Sequence, residues 1–286
     1  MLNAIQHGQV IVDRGTVIVK KITFAGIDAV VKYGVDVRLA EAEAMDFMRS
    51  RVPTIPVPRV LAVCQIRKGT DQKPLSTTFI VSEWIPAENL EMVWDQMTDQ
   101  DKDDVFEQLR GMVLSLRQLR PPNDAYYVGA AGRMPCTDPM VWDQGPFDDI
   151  PSFNAALTDL ARPHFRWNWL SIVERSLART NGYRIVFTHG DLHISNILVR
   201  PRPSPTPTAN ADDDERTPGS STTDWEIVAL LDWECAGWYP EHWEYVKILS
   251  SVKWWSDWAA RAQHLLDRHF DEEFLMDNRM RLRLVA

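Results

Sequence analysis

The segment Thr188-His189-Gly190-Asp191-Leu192-His193-Ile194-Ser195-Asn196 gathers reactive side chains between two apolar runs, Ile185-Val186-Phe187 and Ile197-Leu198-Val199. A third apolar run, Ile227 to Leu231, ends in Asp232. Together they supply an Asp, an Asn five residues later, and another Asp 36 residues beyond that Asn. Phosphoryl transfer needs this set. One carboxylate orients or deprotonates an attacking hydroxyl, while an amide oxygen and a second carboxylate hold magnesium on nucleotide phosphates. A lysine for the phosphates, pinned by a carboxylate on a helix, completes it. Ala29-Val30-Val31-Lys32 is a strand-like run ending in lysine, and the helical stretch after it offers Glu41 and Glu43.

Other chemistry fits parts of the same text. His189, Asp191 and His193 have the spacing of a metal-hydrolase cluster, although further ligands would have to come from unmatched regions. Asp191 and Asn196 also suit turns, Asp232 a strand end, and Lys32 and Glu41 a solvated surface. Glu234 could support the metal or the loop, or lie on the surface. Asp143, Asp148 and Asp149 could receive a cationic amine or form a solvated acidic loop. Cys64, Cys136 and Cys235 are odd in number and far apart, which argues against a disulfide framework or a structural zinc site.

The elements that must position these groups follow from the apolar pattern. Val10-Ile11-Val12, Thr16-Val17-Ile18-Val19 and Ala29-Val30-Val31 read as a three-stranded meander, with turns at Asp13-Arg14-Gly15 and Ala25-Gly26. Residues 37–51 have a helical stripe, ended by Pro53. Val57 to Cys64 and Thr77 to Trp84 read as a hairpin around an exposed loop, Arg67 to Ser76. Asp99 to Leu119 is a long helix, 121–151 an irregular region rich in Gly, Pro and Asp, and 152–180 helical again. The runs 185–187 and 197–199 read as a strand pair. Pro201 to Asp224 holds five Pro and an acidic run, with almost nothing to bury, and is expected to be a disordered insertion (201–224). The result is an α+β, two-lobed chain: residues 1–86 as an antiparallel-sheet lobe with one helix, residues 87–286 as a larger, mainly helical lobe.

Composition bounds the rest. The 286 residues are 45% hydrophobic and 25% charged, as in ordinary globular proteins, and the net charge of -9 argues against a duplex nucleic-acid binder. No apolar run reaches the roughly 20 residues that span a bilayer, and residues 1–15 lack a signal-peptide core, so a cytosolic location is expected. The 12 Trp are the one anomaly, and seven of them fall between Trp225 and Trp258. They would either pack the second lobe or wall an acceptor pocket, with Trp238 and Trp255 the residues to separate the two.

The text HGDLHISNILV resembles the catalytic-loop pattern H-G-D-x-x-x-x-N of the aminoglycoside phosphotransferase family, with its choline-kinase-like relatives and the wider protein-kinase-like fold. LLDWECAG is similar to the family's metal-binding segment, and EAEAMDFMRS with IPVPRVLAV to its helix and following strand. The stretch DWECAGWYPEHWEYVK resembles the fungal branch most. The resemblance runs from Lys32 to about Lys247. It implies an ATP- and Mg²⁺-dependent kinase acting on a hydroxyl of a small molecule. Asp191 would be the catalytic base, and Asn196 and Asp232 the magnesium ligands. Lys32 would bind the phosphates, paired with Glu41, the first Glu of the matching stretch. Backbone groups of Ser82 to Trp84 would meet the adenine where the lobes join, and His189 would brace the loop.

One departure concerns the cover over the phosphates. Only 31 residues precede Lys32, too few for the longer, often Gly-rich cover of such kinases. That keeps a second reading open, a nucleotide-binding regulatory module without transfer activity. A protein kinase fits less well, because no D-F-G or A-P-E segment brackets an activation loop.

Overall fold

The computed structural model describes residues 2–68, 75–202, 224–253 and 255–284. A short helix, α1 (Leu2–His7), precedes strands β1 (Gln9–Asp13), β2 (Val17–Phe24) and β3 (Ile27–Gly34). Helix α2 (Leu39–Arg51) and strands β4 (Val60–Lys68) and β5 (Leu75–Glu83) follow. The five strands form one antiparallel sheet, ordered β1-β2-β3-β5-β4. The expected meander is its first half. Helix α1 adds to the one helix read from the sequence, since six residues are too few to display a helical stripe. The β4–β5 ladder also runs further than expected. Arg67 pairs with Ser76, so both belong to strands, and the loop between lies outside the described residues.

Beyond β5 the chain passes through an unpaired segment, 84–87, into β6 (Glu88–Asn89), α3 (Leu90–Val93) and α4 (Asp99–Arg117). Helix α4 starts where sequence chemistry says it should. The Thr98 hydroxyl accepts from the Asp101 N–H, and the Asp101 carboxylate accepts from the Thr98 N–H, which satisfies two donors of the first turn. Next come β7 (Gly129–Ala130), α5 (Ile150–Ala161), α6 (Trp167–Ala178), β8 (Ile185–Thr188), β9 (Ile197–Pro201), β10 (Trp225–Leu230) and β11 (Gly237–Pro240). Helices α7 (Trp243–Ser250), α8 (Asp257–Ala262) and α9 (Asp271–Leu284) complete the chain. The helical stretch 152–180 is thus two helices, interrupted around Pro163.

The runs 185–187 and 197–199 are strands but not partners. Strand β8 pairs with β11, and β9 lies between β10 and β6 in a different sheet. The polar loop between them therefore crosses from one small sheet to the other. Strand β11 was hidden in Gly237-Trp238-Tyr239-Pro240, whose glycine and proline read as breakers. That glycine is needed, because a Cβ there would fall on the Gly129 carbonyl of β7. Residues 203–223, the core of the expected disordered insertion, lie outside the described residues. The Arg202 N–H closes their base on the Asp224 carbonyl at 2.6 Å.

Five of the twelve tryptophans, Trp94, Trp233, Trp238, Trp243 and Trp258, are buried. Val105, Leu109, Val113 and Leu116 of α4 pack with Phe187, Ile197, Trp233 and Trp238 in the main core. Tyr239 and Trp243 join α5 and α6 in a second cluster. Trp167 and Trp255 are exposed, and Trp254 is outside the described residues. The architecture is an antiparallel-sheet lobe followed by a larger, mainly helical lobe. Among the described residues, no helix is long and apolar enough to cross a membrane.

Candidate active site

The loop from β8 to β9 is held by its own backbone. The carboxylate of Glu244, on α7, accepts the His189 N–H at 2.6 Å and the Gly190 N–H at 3.2 Å. Gly190 has φ 81°, and a Cβ there would stand 2.6 Å from the Cys235 carbonyl oxygen, so no other residue fits. The buried His189 ring reaches the Leu231 carbonyl through Nε2 at 3.0 Å and accepts the Asp191 N–H at Nδ1. Burial lowers its pKa to about 4, so it stays neutral and donates from Nε2. His189 thereby ties the Asp191 loop to the residue preceding Asp232. His193 faces Ser195 within the same turn, Nδ1 to Oγ at 2.9 Å, and caps it.

The amide of Asn196 donates to the Asp191 carbonyl and to its Oδ2, both at 3.0 Å. The Leu231 N–H donates to the Asn196 carbonyl at 2.8 Å, setting that residue beside Asp232. Asp232 adopts a left-handed backbone, φ 61°, as β10 ends. This is uncommon for a residue with a side chain and typical of places where a carboxylate must be aimed.

Lys32, on β3, meets that carboxylate. Its Nζ donates to Asp232 at 2.6 Å and to Glu234 at 2.6 Å, and forms an ion pair with Glu41 of α2 at 2.9 Å. Burial disfavours the ammonium, but Glu41, Asp232 and Glu234 outweigh it and hold its pKa well above the ordinary lysine value. Glu41 is raised to about 7, chiefly by burial, with Lys32 pulling it down. Asp191 is raised to about 6, first by burial and then by Asp232 and Glu234. Glu41, Asp232 and Glu234 present oxygens within 4.8 Å of one another. Three carboxylates form a hard donor set, which fits Mg²⁺ and suits softer metals poorly.

Ser82 lies within β5 between Val30 and Val60, and Trp84 opens the unpaired segment, with Lys21 over its ring at 4.3 Å. The fold thus brings Lys32, Glu41, Asp191, Asn196 and Asp232 into one cluster, with Ser82 inside β5 and Trp84 opening the segment that follows it.

The family model described as Phosphotransferase enzyme family matches residues 13–206. The chain belongs to this family. The apo form of a thermostable mutant of aminoglycoside phosphotransferase APH(4)-Ia has a similar structure, with a TM-score of 0.58 at 11% identity, over 97% of this chain and 83% of that one. A thermostable APH(4)-Ia mutant in ternary complex with AMP-PNP and hygromycin B gives 0.58 at 12%, over 97% and 82%. A putative aminoglycoside phosphotransferase from Ralstonia eutropha JMP134 gives 0.53 at 14%, over 100% and 79%. These likenesses establish the protein-kinase-like fold, and nothing in them singles out a fungal branch. A search of the curated proteins found no match.

Set beside the phosphotransferase family, two carboxylates stand out that the sequence reading underrated or missed. Glu234 joins the lysine cluster, and the only signal was its place two residues after Asp232. Glu244 left no local signal, because its partners lie 54 and 55 residues away. Conversely, Asp149 caps α5 by accepting the Ser152 N–H, and Asp148 pairs with Arg133. Both have structural partners that the acceptor reading did not foresee.

Proposed function

We propose that this phosphotransferase moves the γ-phosphoryl group of ATP to a hydroxyl of a small molecule in the cytosol. The observation that carries the reading is the convergence of Asp191–Asn196 with Lys32–Asp232 in one cleft. The Asp191 carboxylate accepts the proton of the acceptor hydroxyl as its oxygen bonds to the γ-phosphorus. The bond from that phosphorus to the β-phosphate oxygen breaks, and ADP leaves. A carboxyl titrating near 6 is ionised at neutral pH yet basic enough for this role. Lys32, aimed by Glu41, binds phosphate oxygens, and the backbone at Ser82 to Trp84 meets the adenine. Asn196 and Asp232 would hold magnesium, which would supply positive charge to neutralise the phosphates. The buried frame of His189 and Glu244 keeps Asp191 in place.

A mass-spectrometric screen of a metabolite extract with ATP and Mg²⁺ tests this. One or more hydroxyl compounds should gain a phosphate. The second reading, a nucleotide-binding module without transfer, is favoured by the short β1–β2 cover. It would be upheld by Mg²⁺-dependent ATP binding with no phosphorylated product from any extract.

A further inference from the structure

The cover over the site is the β1–β2 turn, Asp13-Arg14-Gly15-Thr16. Kinase covers hold phosphates with free backbone N–H groups. In this turn those donors are already used. The Arg14 N–H donates to the Val17 carbonyl at 2.9 Å, and the Thr16 N–H to the Arg14 carbonyl at 2.9 Å. The Gly15 N–H donates to Asp13 Oδ1 at 2.9 Å. The turn therefore has no amide to offer between Arg14 and Thr16.

Its position still fits a phosphate cover. In the β2–β3 ladder Val19 stands opposite Lys32 and Val17 opposite Gly34. A Cβ on Gly34 would fall on the Thr16 carbonyl oxygen, so the turn lies directly against the strand that carries Lys32. Charge is the remaining question. The cleft holds four carboxylates, Glu41, Asp191, Asp232 and Glu234, against one ammonium, Lys32, which is bound by three of them. A nucleoside triphosphate adds more negative charge, and one lysine with a divalent cation leaves an excess.

Arg14 is exposed at the tip of the turn. Among the described residues its side chain has no ion pair and no hydrogen bond. The turn that carries it stands against Gly34, two residues beyond Lys32 on the same strand, which places Arg14 at the phosphate end of the site rather than the adenine end. We infer that the Arg14 guanidinium grips the terminal phosphate of the bound nucleoside triphosphate, doing with a side chain what other covers do with amides. The planar fork of Arg suits two phosphate oxygens at once, which an ammonium cannot match. This inference rests on the ATP reading above and adds a phosphate-contacting residue to it.

Titration calorimetry with Mg²⁺-ATP and Mg²⁺-ADP on the full chain, with Arg14→Ala and Arg14→Lys, tests it. Arg14→Ala should bind Mg²⁺-ATP about tenfold more weakly, with Mg²⁺-ADP affinity within about twofold and an unchanged melting temperature. Arg14→Lys should lie between wild type and Arg14→Ala for ATP. Unchanged ATP affinity in Arg14→Ala overturns the role of Arg14 and leaves the ATP reading standing. Equal losses for ATP and ADP overturn the assignment to the terminal phosphate. A wild-type chain that binds neither nucleotide overturns both.

Discussion

Lys32 Nζ and Asp232 Oδ1 meet at 2.6 Å although 200 residues separate them in the chain. The contact joins the five-stranded sheet to the end of β10, so the two lobes share one charged centre. Glu41 enters it from α2 and Glu234 from the turn after Asp232.

Lys32 should therefore matter to folding as well as to nucleotide binding. Lys32→Met leaves the buried Glu41 carboxyl without a cation and is expected to cost about 3 kcal/mol in urea unfolding. Adding Glu41→Leu removes the orphaned group and should recover part of that loss. A double variant no more stable than the single one would refute the coupling.

Glu244 should position the catalytic loop. Glu244→Gln turns an amide NH₂ towards a peptide N–H of His189 or Gly190, leaving a buried donor unsatisfied at about 1–3 kcal/mol. Hydrogen exchange in the 188–196 segment should accelerate, and phosphoryl transfer should fall tenfold or more with little change in KM for ATP. Unaltered exchange would show that the loop does not depend on this residue.

Part of the site was legible and part was not, for physical reasons. Asp191, Asn196 and Asp232 stand in short loops that apolar strands frame, so side-chain type and spacing survive in the linear text. Lys32 and Glu41 are legible as a lysine closing a β-branched run and a carboxylate on the helix that follows, although the strand itself continues to Gly34. Glu244 was invisible because its partners are backbone amides, which any residue presents. Strand β11 was missed because its pairing is set by close approach at Gly237, not by an alternating pattern. The pairing of β8 and β9 was misjudged for a similar reason: neighbours in sequence found partners in different sheets.

Acid should destabilise the chain through His242. Burial lowers its pKa to about 3, with Lys247, Arg117 and Arg268 pushing the same way. Between that value and 6.5 the unfolded chain binds a proton that the folded chain refuses. This contribution to stability is therefore full above pH 6.5 and is lost as pH falls. Glu41 and Glu244, both raised to about 7, act in the opposite sense, so the comparison must be differential. His242→Phe should gain on wild type by about 1.4 kcal/mol for each pH unit below 6.5. Parallel stability curves would contradict this.

The tryptophans should divide by burial. Trp238 is 2% exposed and packs against Phe187, Phe47 and Tyr127, whereas Trp255 is 86% exposed. Trp238→Leu should lose about 3 kcal/mol, and Trp255→Leu about 0.5 kcal/mol or less. Thermal or urea unfolding of the two variants checks both values. Comparable losses at the two positions would mean that burial does not govern them.

The most direct test of the central claim is Asp191→Asn, an isosteric change that removes only the base. Transfer from γ-labelled ATP into a metabolite extract should be followed for wild type and variant, with Mg²⁺-ATP binding measured on the same samples. The account expects label in acceptors with wild type, none above background with Asp191→Asn, and similar nucleotide affinity for both. Equal labelling by the two proteins would contradict it.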